Sequence, residues 1–136
     1  MLARALRLPL VVHVLRAHDR APRILRDERA ADVGGVLHSY SGGAGLVAVY
    51  RDLGFAFSFA GPITYPGARR PAEAARAVPD DLLLAETDAP DQSPRGGRCE
   101  PAYVADVIAA LAAARGTSTD AIAALTTANA RRLFGF

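Results

Sequence analysis

The sequence predicts an α/β chain of parallel βα units, and three observations carry the prediction. Four short apolar runs, residues 9–14, 35–39, 55–60 and 82–86, alternate with segments of helical pattern. Their interiors are apolar, and Leu82-Leu83-Leu84 reads as a strand buried on both faces, as in a parallel sheet. Polar residues then arrive at or just past the C-terminal ends of three of the runs: His13, His38, and the pair Glu86 and Asp88. Four units in 136 residues is about 34 residues per unit, close to the roughly 31 of an eight-unit barrel. A doubly wound open sheet repeats similarly. Against it, no Gly-x-Gly-x-x-Gly fingerprint follows any strand, and several strands delivering polar groups to one mouth is barrel behaviour.

In chain order, the strand at 9–14 is followed by a short charged helix over 21–29, and the strand at 35–39 by an amphipathic helix over 44–53. That helix places Leu46, Val49, Tyr50 and Leu53 on one side and closes on Gly54. After the strand at 55–60 comes a Gly/Pro loop over 61–67, then a helix over 71–78 stopped by Pro79. The last strand runs into a Gly/Pro/Arg-rich loop over 91–100. The strongest helix, 101–115, has Pro101 in its first turn and a stripe of Tyr103, Val104, Val107, Ile108 and Leu111. Gly116 closes it. Thr117-Ser118-Thr119-Asp120 reads as a capping box for a helix over 120–125, and a final short helix covers 127–134.

Composition bounds the class. A chain with 51% hydrophobic and 22% charged residues is one globular domain with a real core, not a disordered segment. Its single cysteine, Cys99, excludes an internal disulfide framework and fits a reducing compartment, so a cytoplasmic protein is expected. Residues 1–7 carry Arg4 and Arg7, but Pro9 and His13 interrupt the apolar run that follows, which excludes a signal peptide and a membrane span. The net charge is +2 and all 16 basic residues are arginine, scattered through an alanine-rich chain. Basicity by itself therefore makes no case for nucleic acid.

Two histidines and a carboxylate converging from different strands suit a divalent first-row ion such as Zn²⁺, or Mg²⁺ or Mn²⁺ where carboxylate and water dominate. Such an ion lowers the pKa of bound water, and a carboxylate orients that water or accepts its proton. The competing reading is a set of hydrogen-bonded structural histidines beside a solvated acidic turn.

Leu8-Pro9-Leu10-Val11-Val12-His13, Gly35-Val36-Leu37-His38-Ser39-Tyr40-Ser41-Gly42, Gly61-Pro62-Ile63-Thr64-Tyr65-Pro66, Leu83-Leu84-Ala85-Glu86-Thr87-Asp88-Ala89-Pro90 and Asn129-Ala130-Arg131-Arg132-Leu133-Phe134-Gly135 resemble, in order and spacing, successive motifs of the TatD family of metal-dependent deoxyribonucleases. The resemblance implies a TIM-like β/α barrel and hydrolysis of phosphodiester bonds in DNA with one or two divalent ions. It implies that His13 and His38 are metal ligands from strands 5 and 6. Asp88 resembles the strand 8 carboxylate that binds metal and positions the attacking water. Glu86, two residues before Asp88 and on the same side of a strand, is expected to orient a ligand or to be buried and paired.

The likeness covers only the C-terminal half of a family domain, strands 5–8, so residues 1–136 are expected to form a partial domain. The His-x-His pair of the family's first strand and the glutamate of its fourth are absent. Many members follow the strand 5 histidine with Ser-Arg-Asp; here Val14-Leu15-Arg16 follows His13. Arg16 then faces phosphate or is a surface residue, and His18 and Asp19 are expected to be solvated. Arg69 and Arg70 read as an exposed helix start that could also meet a DNA backbone. Arg95 and Arg98, in the loop after Asp88, are better placed to contact phosphate. A half barrel leaves two strand edges and is expected to expose apolar side chains such as Val11, Leu37 and Phe57 or their neighbours. The expected cover is a separately encoded N-terminal half or a second copy in a homo-dimer. Two further readings stand: a catalytically inactive fragment serving as an assembly module, and hydrolysis of another ester or amide.

Overall fold

A computed structural model describes residues 2–136 as one four-stranded parallel sheet: β1 Leu10–His13, β2 Gly35–His38, β3 Phe55–Phe59 and β4 Leu83–Ala85. The strands lie in sequence order, each paired in parallel with the next. Every connection steps to the adjacent strand, as in a barrel wall. A doubly wound sheet would reverse its order at a switch point. Helices α1 Leu2–Leu6, α2 Ala21–Asp27, α3 Val47–Arg51, α4 Arg69–Ala77, α5 Val104–Arg115 and α6 Thr119–Phe134 complete the chain.

Strand alternation divides the apolar residues between two faces. Leu37, Phe55, Phe57, Phe59 and Leu83 join Val47 and Tyr50 of α3, Ala74 of α4, Val107 and Leu111 of α5 and Ile122 of α6 in the main core. Val36, Ala56 and Leu84 form a smaller cluster on the other face, packed by Ala130 and Leu133 of α6. Of the three side chains expected to lie bare, only Val11 does so, at 63% exposed, against 1% for Leu37 and 0% for Phe57. Leu37 and Phe57 belong to the helix-covered face, whereas Val11 stands on the edge strand. Leu2, Leu6, Leu8 and Leu15 are also exposed, so the open apolar surface gathers around β1.

Several elements differ locally from the sequence pattern. The helices expected over 120–125 and 127–134 are one helix, because Thr126 turns its hydroxyl back to the Ile122 carbonyl at 2.8 Å and continues the helix instead of breaking it. Its cap is Ser118, whose Oγ accepts from the Ala121 N–H at 3.2 Å. The segments 44–53 and 101–115 each open on a 3-10 turn, Ala44–Leu46 and Pro101–Tyr103. Helix α4 starts two residues before Pro71, whose missing N–H is harmless in a first turn. Glu86 lies just beyond β4, yet its N–H still donates to the Phe59 carbonyl at 3.0 Å, which holds it against the end of β3.

Register sets the mouth of the sheet. His13 is the cross-strand partner of His38 and Phe59 that of Ala85, while Leu37 pairs with Phe57, so β1 and β2 end level and β3 and β4 end one residue further on. Gly61 admits the loop after β4, since any Cβ there would collide with the Gln92 backbone carbonyl. At the opposite end, the buried Asn129 donates through Nδ2 to the carbonyls of Asp80, at 2.7 Å, and Leu83, at 2.8 Å, which ties α6 to the start of β4. Asn129→Ala strands two acceptors, and urea unfolding should show a loss of about 3 kcal/mol with an unchanged slope.

Candidate metal centre

Glu86 reaches across the end of β3 to β2. Its Oε1 accepts from the Ser39 N–H at 2.6 Å and its Oε2 from His38 Nδ1 at 2.6 Å. A carboxylate only accepts, so Nδ1 of His38 carries a proton, and in the neutral ring the lone pair is left on Nε2. That lone pair faces Asp88 Oδ1 at 3.1 Å. Two acceptors at this distance need something positive between them, either a second ring proton or a cation. The spacing equals that of two neighbouring ligand atoms on one divalent ion, about 3 Å for bonds of about 2.1 Å. The other Asp88 oxygen, Oδ2, accepts from the Gln92 amide, whose Oε1 in turn accepts from the Ser39 hydroxyl at 2.8 Å. Both half-buried ligand candidates are thus held from behind by a partner that fixes their orientation.

His13 stands beside this pair, its ring 5.5 Å from that of His38 and tilted by 46°. It is exposed on the edge strand. Among the described residues, no group of three His, Cys, Asp or Glu side chains is arranged to hold a metal ion. The donor chemistry therefore fits a divalent ion as a partial site: imidazole nitrogen and carboxylate oxygen from His38 and Asp88, with His13 adjacent.

The four other residues singled out in the sequence fall unevenly. Glu86 is in the site as the group that orients His38. Arg16 is exposed, with a left-handed backbone (φ 52°). Arg95 is committed elsewhere: Nε and Nη2 donate to the Asp106 carboxylate at 2.6 and 3.1 Å, and the guanidinium lies over the Tyr103 ring at 4.3 Å. The hydrogen bond between them holds the Arg95 pKa above and the Asp106 pKa below the ordinary values. Arg98 is exposed in the same loop.

His18, expected to be solvated, is instead built into the wall behind the site. The Ser41 hydroxyl donates to the Val14 carbonyl at 2.9 Å, so at 3.2 Å it accepts from His18 Nε2–H. His18 Nδ1 is then the acceptor of the Tyr50 hydroxyl at 2.9 Å. Both nitrogens are used by the neutral ring. Burial, and next the positive charge of Arg70, lower the His18 pKa from 6.5. Burial raises Tyr50 and pushes Tyr40, which stacks edge-on against His18, Tyr50, Phe57 and Phe59, up to about 12. His18, Ser39, Ser41 and Gln92 are the site-forming residues that sequence reasoning missed. Ser39 and Ser41 did lie inside a recognised motif.

Comparison with known proteins gives a consistent picture. The family model described as TatD related DNase matches residues 1–135. The chain is 38% identical over 136 residues to an uncharacterized metal-dependent hydrolase, YabD, of Bacillus subtilis, covering 98% of this chain and 53% of that protein. It is 37% identical over 144 residues to the 3'-5' ssDNA/RNA exonuclease TatD of Klebsiella pneumoniae, covering 98% and 54%. Among solved structures, the TatD homolog YJJV of Escherichia coli superposes with a TM-score of 0.91 at 32% identity, over 99% of this chain and 53% of that one. A TatD family hydrolase from Entamoeba histolytica shares the fold with a TM-score of 0.86 at 14% identity. The chain spans about half the length of the curated relatives it matches.

Above pH 6.5 His18 is neutral in the folded and the unfolded chain; below it the unfolded chain takes up the proton more readily. Unfolding stability should therefore decline as the pH drops from 6.5 towards the lowered folded pKa, a decline absent in His18→Gln. An NMR titration should place the His18 midpoint below 6.5, and Arg70→Gln should raise it.

Proposed function

Because the chain belongs to the TatD related DNase family of metal-dependent hydrolases, we propose that it serves hydrolysis of phosphodiester bonds in DNA, with a divalent ion held by His38 and Asp88 and approached by His13. One observation carries the reading: His38 Nε2 and Asp88 Oδ1 face each other at 3.1 Å while Glu86 holds the far ring nitrogen. A bound divalent ion supplies a water of lowered pKa and neutralises charge on a phosphate. The chain's own residues do the remaining work. Glu86 keeps the His38 lone pair aimed at the mouth. Gln92 holds Asp88 Oδ2, which keeps Oδ1 turned to His38, where the carboxylate would hold the ion and orient a water beside it. Asp88 is thus the proposed catalytic residue, and Mg²⁺, Mn²⁺ or Zn²⁺ the candidate ion. The name of the Klebsiella pneumoniae relative favours the end of a single strand as substrate.

A second reading is favoured by a specific pair of observations. No group of three donors is assembled among the described residues, and Leu8, Val11 and Leu15 lie exposed along the free β1 edge. On this reading the chain is an assembly module, inactive alone, and further strands from a separately encoded half or a second copy bring the missing donors. Sedimentation separates the two, since a stable monomer with metal-dependent activity excludes the module.

Manganese titration calorimetry should show binding that Asp88→Asn weakens about 100-fold and that Glu86→Gln weakens about 10-fold, through loss of orientation. Release of nucleotides from a single-stranded oligonucleotide should require Mn²⁺ or Mg²⁺ and disappear in Asp88→Ala. Undiminished release by that variant would refute the assignment.

A further inference from the structure

Beside the metal residues lies a cavity of about 330 Å³, the lower end of the range for small-molecule sites. One wall is apolar, built from Leu15, Phe59, Pro62 and Ile63, and His13 stands at its margin. The polar groups around it face inward. The Ser41 hydroxyl donates to Val14, the Tyr40 hydroxyl to Gly43, the Ser39 hydroxyl to Gln92, and the Gln92 amide to Asp88. Arg70 is the exception. It lines the same cavity, its Nε lying over Gly43, and among the described residues no carboxylate pairs with it, whereas Arg51, Arg95 and Arg115 each have one. Its side chain is exposed, so the guanidinium stands at the rim of the cavity, open to solvent and to an incoming ligand.

An apolar slot with one uncommitted guanidinium at its rim matches a ligand that is flat and apolar at one end and anionic at the other. We propose that this cavity is the subsite for a single nucleotide of the substrate strand, its base against Phe59 and Ile63 and its phosphate on Arg70. The proposal rests on the nucleic-acid reading above. Arg70 is in this role a positioning residue, remote from the bond that is cut, and it sets preference for a strand carrying both base and phosphate at this point.

The test uses the whole chain with EDTA present and pentathymidylate as the probe, followed by NMR. The expected result is resonance shifts at Phe59, Ile63 and Arg70. Arg70→Gln should weaken binding about tenfold, the loss of one charge-assisted contact, while Arg69→Gln changes it less than about twofold. An abasic pentamer should lose the shifts at Phe59 and Ile63. Shifts confined to other residues, equal weakening by both variants, or no binding overturn the proposal. Mn²⁺ affinity measured on the same samples keeps the two readings apart. Pentathymidylate seated on Arg70 without Mn²⁺ binding supports the subsite and removes the metal-hydrolase reading. Mn²⁺ binding without pentathymidylate binding does the reverse.

Discussion

The structure depends on the reach of Glu86 from the end of β4 to the end of β2. Those strands are not neighbours; β3 lies between them. By accepting from both the Ser39 N–H and His38 Nδ1, one carboxylate ties together the ends of strands separated by a third, and in doing so chooses which ring nitrogen of His38 carries a lone pair. The consequence is chemical as well as mechanical. A neutral imidazole with its free nitrogen aimed at a second carboxylate is a cation site waiting for a cation, whereas the same ring with its proton on Nε2 would be an ordinary hydrogen bond.

What makes that reach possible is a sheet whose four strands end within one residue of one another. Parallel pairing in sequence order puts His13 level with His38 and the Phe59–Ala85 pair one residue beyond them, and the large aromatic core under the helices holds this row of strand ends in place. Below the row, Tyr50, His18, Ser41 and the Val14 carbonyl form a chain of hydrogen bonds that anchors the loops after β1 and β2 to α3. The catalytic reading concerns the surface of this assembly, and the interior accounts for its precision. The exposed side chains around β1 mark the side on which that interior stops.

Much of the fold was legible in the sequence. Apolar strand runs of five to six residues, helical stripes and the glycines and prolines between them are local signals, and the strands fell within a residue or two of their expected places. The errors were of one kind. The helices expected over 120–125 and 127–134 join through Thr126, whose hydroxyl bonds within the helix, and the buried Ile122 and Asn129 on either side hold α6 against the sheet. His18 reads from the sequence as solvated, with Asp19, at the start of the next helix. Its true neighbours, Tyr50 and Ser41, come from later units.

By itself the sequence determined the alternation of strand and helix, the family, and the placement of His13, His38, Glu86 and Asp88 at strand ends, because each of these is written in residue types at short spacing. Only the tertiary structure decided what those residues do to one another. Glu86 and Asp88 take opposite nitrogens of the same ring. Arg95 turns away to Asp106 while Arg70 turns to the cavity, and Leu37 and Phe57 face helices where Val11 faces solvent. The reason is physical: which donor meets which acceptor is settled by register and by loops that cross tens of residues of sequence, and no local pattern encodes that distance.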